Sequence, residues 1–206
     1  MPQQDTPFGP SFWNTRYGAS GYVFGIEPND FLREQAGQIA AGPILCLGEG
    51  EGRNAVHLAR LGHSVVALDQ SSTGLAKADE LAAANGVAIE TCVADLASFT
   101  IEPAQWGAIV SIFLHLPAEL RRSVHRSVVV GLRRGGVYIL EAYTPAQLAY
   151  NTGGPKEASL LPTLAQLHEE LAGLDFHIGR EVERDVIEGS GHTGRAAVVQ
   201  VVAIKH

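Results

Sequence analysis

The stretch Ile44-Leu45-Cys46-Leu47-Gly48-Glu49-Gly50-Glu51-Gly52-Arg53-Asn54 decides the fold. Four apolar residues run into three alternate glycines, and an alanine- and leucine-rich helical pattern follows at once. The order is strand, tight turn, helix. Gly48, Gly50 and Gly52 let the backbone turn sharply and let a ligand approach where a Cβ would collide. The first helical turn then directs free N–H groups into the same space. The plainer alternative is a βα turn with surface glutamates and no ligand, but such a turn has no evident packing need for three glycines.

Two details narrow the ligand. The spacing is G-x-G-x-G, whereas a dinucleotide fingerprint places its third glycine one residue later, where Arg53 stands. The residues between the glycines are Glu49 and Glu51, and two carboxylates would repel a pyrophosphate at close range. A cationic nucleoside is the better match. S-adenosylmethionine carries a sulfonium and an ammonium.

Downstream, residues 64–69 form a second, continuously apolar strand, as in a parallel sheet buried on both faces. It ends in Asp69, placed to accept ribose hydroxyls. The alternative for Asp69 is a helix N-terminal acid, since Ser71 and Ser72 can cap the next helix, residues 73–84. A third strand over 87–93 precedes Asp95, which is either an acceptor for an adenine amino group or a turn residue. The fourth strand, 106–114, runs into His115-Leu116-Pro117. A helix over 118–133 follows, closed by Gly135-Gly136. The tip of the fourth strand lies at the switch point where ligands sit, so His115 is the candidate for contact with a reacting group. A locally bonded loop histidine is the alternative. The fifth strand, 137–143, ends near Tyr143. A long loop with Tyr150-Asn151-Thr152-Gly153-Gly154-Pro155 is placed to shape a substrate pocket. A helix over 163–172 and an antiparallel pair over 176–187 and 195–204 close the chain. The last segment is almost wholly apolar and therefore central.

Upstream, residues 1–27 are loop-like yet studded with Phe8, Phe12, Trp13, Tyr17, Tyr22 and Phe24, apart from a turn of helix near 11–17. The segment is either a flap packed on the core or a lid whose rings face the ligand. In the second case Trp13, Tyr17, Tyr22 and Phe24, with Tyr143, are candidate substrate contacts. A helix capped by Asn29 or Asp30 then carries an apolar stripe to Ile39 and ends at Gly42-Pro43.

The 206 residues fit one domain, with a core over 28–206. At 46% hydrophobic and 18% charged, the chain is not of disordered composition. A net charge of −7 argues against a nucleic-acid footprint. Cys46 and Cys92 read as small buried hydrophobes, and no Cys/His cluster suggests a metal. No signal pattern or membrane-length run is present, so a cytoplasmic protein is expected.

Taken together, the glycine turn, Asp69, Asp95 and the final antiparallel pair resemble the class I S-adenosylmethionine-dependent methyltransferases over nearly the whole chain. Tyr22-Val23-Phe24-Gly25 and Pro28-Asn29-Asp30-Phe31-Leu32 further resemble the small bacterial tellurite-resistance and thiopurine-type members. The resemblance implies a Rossmann-like, doubly wound α/β fold: a seven-stranded sheet, mostly parallel, with a C-terminal antiparallel strand. It implies that Gly48, Gly50 and Gly52 wrap the methionine part of S-adenosylmethionine, with Glu49, Arg53 and Asn54 beside them. Asp69 and Gln70 would hold the ribose, and Asp95, Leu96 and Phe113 would frame the rest of the cofactor. One departure stands out. The family's acid before the glycines is replaced by Cys46, and Glu49 is the candidate substitute. The implied acceptor is a small molecule, such as a thiol or a chalcogen oxyanion. An oxygen or nitrogen acceptor would call on His115 as base. The rivals are a nicotinamide-dependent oxidoreductase and a non-catalytic cofactor-binding module. Oligomeric state is left open by the sequence.

Overall fold

The structure, a computed structural model, describes residues 8–40, 42–150 and 152–206. Residues 1–7 of the expected aromatic segment and Asn151 of the expected pocket loop lie outside these. The elements are α1 (Pro10–Tyr17), α2 (Asp30–Gln35), β1 (Ile44–Leu47), α3 (Arg53–Arg60), β2 (Val65–Asp69), α4 (Ser72–Ala84), β3 (Glu90–Val93), β4 (Trp106–Ile112), α5 (Ala118–Gly131), β5 (Leu132–Tyr143), α6 (Leu164–Glu170), β6 (Leu174–Glu188) and β7 (His192–Lys205). Seven strands form one sheet in the order β3-β2-β1-β4-β5-β7-β6. Pairing is parallel from β3 to β5, and β7 runs antiparallel to both β5 and β6.

Strand periodicity sorts the core into two layers. Ile44 and Cys46 of β1 face one side, with Ala108 and Val110 of β4 and Ile139 of β5. There they meet Phe31 and Leu32 of α2, Ala55 and Leu58 of α3 and Leu75 of α4. Leu45, Leu47, Ile109, Tyr138 and Leu140 face the other side. Their partners include Val124 and Val128 of α5 and Leu167 and Leu171 near α6. The helices therefore cover both sheet faces, which explains why the strands read as unbroken apolar runs. Asn29, Ser71 and Thr163 cap α2, α4 and α6 by accepting backbone N–H groups of Leu32, Gly74 and Gln166. Among the described residues, no helix is long and apolar enough to cross a membrane.

Most expected boundaries shift by a few residues at most, and two shift with consequence. The third strand is shorter, four residues rather than seven. The fifth helix ends at Gly131 and β5 begins at Leu132. Leu132 pairs with Trp106 while Val137 pairs with Ala108, so residues 133–136, with Gly135 at φ 74°, loop out of the register. The glycine pair is thus inside a strand rather than at a helix end. The central position of β7 is as expected from its apolar run.

The layer holding α5 and α6 contains one buried ionic staple. Arg121 Nε and Nη2 donate to the Glu170 carboxylate at 2.9–3.2 Å, and His125 Nδ1 lies 2.7 Å from Glu170 Oε2. Burial raises the Glu170 pKa, but the His125 and Arg121 hydrogen bonds outweigh it and hold the group at about 2. A carboxylate depressed in the folded state stabilises the fold above its ordinary pKa near 4.5, and loses that contribution as pH falls toward 2. Glu170→Gln leaves the Arg121 guanidinium buried without a counter-charge, so it is expected to cost about 3–5 kcal/mol at pH 7. Urea denaturation at pH 7 and pH 3 checks this: the gap between wild type and variant narrows at the lower pH.

Candidate active site

The turn between β1 and α3 places all three glycines in the left-handed region, with φ of 61° at Gly48, 63° at Gly50 and 90° at Gly52. A Cβ at Gly48 would lie 2.7 Å from Leu114 Cδ1, and one at Gly50 would lie 2.5 Å from Tyr17 Oη. At Gly52 it would lie 2.5 Å from Ala78 Cβ. The sequence suggested no packing need for three glycines, and the structure corrects this. Each is also demanded by a neighbour inside the protein, and Gly52 lets the start of α3 press directly against α4.

Acidic groups gather around this turn. Glu49 Oε1 accepts the N–H groups of Asn54 and Ala55 at 2.9 and 2.8 Å, capping α3. Burial pushes its pKa up to about 7, opposed by these hydrogen bonds and by Arg53. The Cys46 thiol is fully buried and is raised by burial and by Glu49. Glu51 accepts from the Val23 N–H at 2.8 Å and pairs with Lys77 at 2.9 Å, tying the N-terminal segment to α4. At the tip of β2, Asp69 Oδ2 accepts from Gly50 N–H at 2.9 Å and Oδ1 from Ser71 N–H at 2.8 Å. Its pKa is raised by burial, which dominates these backbone bonds. Each oxygen keeps acceptor capacity for one more donor. At the tip of β3, exposed Asp95 uses Oδ1 for the Ala97 N–H at 2.8 Å, while half-buried Leu96 packs on the core. Gln70 donates to the Phe8 carbonyl at 2.8 Å.

Two candidate ligand contacts have their side chains committed within the fold. Arg53 Nη2 pairs with Glu188 Oε2 at 2.5 Å, and Asn54 Oδ1 accepts the Asn29 N–H at 2.9 Å. They belong to a buried network that the sequence did not reveal. Asn29 Nδ2 donates to Glu141 at 2.5 Å and to Glu188 at 2.8 Å. Arg184 donates to both Glu141 oxygens at 2.9 and 2.6 Å, and Gln200 Nε2 donates to Oε1 at 2.7 Å. Glu141 was visible only as a polar residue in an apolar strand, with nothing local to indicate its partners on β6 and β7.

The N-terminal segment covers the turn. Tyr17 is buried against Gly50 and Gly74, its phenol pKa raised by burial and then by Asp69. Trp13 stacks on Tyr17 with ring centroids 5.4 Å apart. Asn14 Oδ1 accepts from the Ser71 hydroxyl at 2.7 Å and anchors α1 to the start of α4. Tyr22 faces elsewhere: its hydroxyl donates to the Lys77 carbonyl at 3.3 Å and its ring lies beneath the Lys77 ammonium. Phe24 sits edge-on to Tyr17 and 4.5 Å from the His192 ring.

Beyond Phe24 the strand ends build an aromatic box. Phe113 adopts φ 53°, a strained conformation for a bulky residue, directly after β4. Its ring stacks on Tyr143 at 4.6 Å and meets His192 at 4.7 Å. His115 lies parallel to Tyr143, and its Nε2 accepts the Tyr143 backbone N–H at 3.1 Å. Burial pushes the His115 pKa down to about 4 and that of His192 to about 3, the latter helped by Arg53. Both imidazoles are therefore neutral near pH 7, and His115 has already spent a ring lone pair. Burial raises the Tyr143 hydroxyl. Two side-chain atoms in the box, Tyr143 Oη and His192 Nδ1, are buried without a hydrogen-bond partner among the described residues. An unsatisfied buried polar atom costs about 1–3 kcal/mol, so a pair of them is unusual. The sequence reading missed His192, although a histidine inside Gly189-Ser190-Gly191-His192 carried the signal of a functional turn.

The residues around the glycine turn fit a ligand rich in donors or positive charge. Glu49, Asp69 and Asp95 stand at the ends of three adjacent strands, and Arg53 and Lys77 beside the turn are paired internally. They do not fit a pyrophosphate.

Comparison with known proteins bears on the fold that carries this geometry. The methyltransferase-domain family matches residues 44–136, from β1 into β5. The 2-heptyl-1-hydroxyquinolin-4(1H)-one methyltransferase of Mycobacteroides abscessus is 33% identical over 121 residues, covering 57% of this chain and 53% of that protein. The chain thus matches about half the length of this curated relative. Among solved structures, a protein from work on the conversion of a disulfide bond into a thioacetal group during echinomycin biosynthesis superposes with a TM-score of 0.76 at 19% identity. That match covers 96% of this chain and 90% of the other. TehB from Haemophilus influenzae gives 0.71 at 20% identity, covering 96% and 67%. A SAM-dependent methyltransferase from Methanosarcina mazei gives 0.68 at 16%, covering 87% and 98%. The fold is that of the S-adenosylmethionine-dependent methyltransferases.

The raised pKa of Glu49 has a measurable sign. A carboxyl raised from about 4.5 to about 7 contributes stability that is complete below 4.5 and is lost as pH rises through 7. Glu49→Gln is expected to remove this loss, worth up to about 3 kcal/mol between pH 5 and pH 8. Urea denaturation of both proteins at the two pH values measures it.

Proposed function

We propose that the chain transfers a methyl group from S-adenosylmethionine to a small-molecule acceptor. The observation that carries this reading is the set of carboxylates around a glycine turn whose neighbouring cations are already paired. Asp69 takes the ribose hydroxyls, with Gln70 beside it, and Asp95 takes the adenine amino group, with Leu96 and Phe113 flanking. Glu49, which also bonds the Cys46 thiol, answers the ammonium that Cys46 cannot. Gly48 and Gly50 allow main-chain approach along the methionine portion. The aromatic segment over residues 1–27 acts as a lid on the core over 28–206, with Tyr17 against the turn. The curated relative is named for a small organic substrate, which supports the small-molecule class.

When bound, S-adenosylmethionine supplies a methyl carbon made electrophilic by the sulfonium. The protein orients the acceptor for in-line attack and excludes water. Imidazoles held neutral at pKa values of about 4 and 3 are weak bases, so the acceptor brings its own nucleophilicity. A thiol or a chalcogen oxyanion meets that requirement. In this reading His115 acts chiefly by fixing Tyr143 through its backbone N–H.

Isothermal titration with S-adenosylmethionine, S-adenosylhomocysteine and NAD tests the proposal. The first two are expected to bind and NAD is not. Asp69→Asn is expected to weaken S-adenosylmethionine by about 10–100-fold, the loss of charge-assisted hydrogen bonds to hydroxyls. Binding of NAD as tight as that of S-adenosylmethionine would sink the reading, as would binding without methyl transfer to any thiol, phenol or tellurite offered.

A further inference from the structure

We propose that Tyr143 Oη and His192 Nδ1 form the recognition pair of the acceptor site, and that the acceptor is a planar aromatic carrying a hydroxyl or thiol on its ring. This rests on the methyl-transfer reading and specifies its second substrate. Both residues are more than nine-tenths buried, at 0% and 8% exposure, and both atoms lack a partner among the described residues. Their rings stand 5.4 Å apart at 85°, which makes a corner. Phe113 lies against both and forms a third wall. Phe24 flanks His192 and leads through Tyr17 back to the glycine turn. The pair is therefore contiguous with the proposed cofactor site through packed aromatic rings.

The chemistry of the corner selects the ligand. Tyr143 offers a hydroxyl donor, and a neutral imidazole nitrogen either accepts or donates according to its tautomer. A ring hydroxyl or thiol both donates and accepts, so it satisfies the two atoms together. The flat walls suit a planar ring. Of the guanidinium groups that act on His192, Arg53 is paired with Glu188 and Arg184 with Glu141 and Glu188, while Arg16 lies over the Trp13 and Phe24 rings. Gly153 packs against this corner, since a Cβ there would stand 2.9 Å from Oη and 3.0 Å from the His192 ring. Any side chain at 153 would crowd the space the acceptor's polar atom needs.

The test compares quinolin-6-ol with quinoline, which share a ring system and differ in the hydroxyl. Affinities are measured by calorimetry on the full chain with and without S-adenosylhomocysteine. Quinolin-6-ol is expected to bind at least about 10-fold tighter than quinoline. Tyr143→Phe, which keeps the ring stack, and His192→Ala are each expected to cut that preference to under about 3-fold, with S-adenosylhomocysteine affinity unchanged. His192→Asn, which restores a polar atom near Nδ1, is expected to recover part of it. Equal binding of the two probes by wild type overturns the proposal, and so does full preference in both variants, which would mean that buried water alone serves the two atoms. Failure of S-adenosylhomocysteine to bind would instead strike the methyl-transfer reading, and the probe preference measured without it still decides the pair.

Discussion

The Glu141 carboxylate, with no exposure to solvent, is the point on which the arrangement of the site depends. It accepts hydrogen bonds from Asn29, Arg184 and Gln200, and Arg184 and Asn29 both reach on to Glu188, which also holds Arg53. Two carboxylates and two guanidinium groups thus balance in charge, and neutral amides take up remaining acceptor sites. A buried ion pair of this kind adds little net stability against an apolar replacement, yet removing one member leaves an uncompensated charge. Its value here is geometric. Asn29 both caps α2 and touches Glu141 and Glu188, so the residues between lid and core can sit in only one place. Arg53 opens α3, so the direction of that helix from the glycine turn is set by the same cluster.

A second constraint acts on the turn itself. Its backbone serves inside and outside at once. Gly52 allows α3 to lie on α4, and Gly50 receives the Tyr17 hydroxyl from the N-terminal helix. Asp69 joins the two roles, because it accepts the Gly50 N–H and stands buried beside the Tyr17 phenol. The acids and the lid are therefore not independent parts. A change that shifts the turn moves the carboxylate at the tip of β2 with it, and the covering ring as well.

The fold was readable because its signals are local. The apolar tetrad 44–47, the glycines after it, the acid ending β2 and the unbroken apolar run of β7 each speak through a few neighbouring residues. The site was readable only where it is made of such signals. Arg53 reads as a ligand contact by position, but its partner is 135 residues away. Glu141 bonds across 59 residues to Gln200, and sequence spacing carries no record of such pairings. His115 occupies the expected strand end, while its lone pair is taken by a main-chain N–H from the next strand. Tyr22 belongs to the aromatic segment and yet packs on α4, since a loop with no periodicity does not announce which of its rings turn inward.

The hairpin of β6 and β7 carries a consequence for how the molecule is made. It supplies Arg184, Glu188, His192 and Gln200, so the partners of Asn29 and Arg53, and one corner of the aromatic box, are synthesised after the other strands of the sheet. Synthesis is vectorial, and long-range pairings form late. The glycine turn and the first three strands have their parallel partners long before that point. The N-terminal aromatic segment does not, because Phe24 packs on His192 and Gly25 meets Gly189. A nascent chain therefore holds the Phe24 ring and the Gly25 backbone without these partners until the hairpin arrives.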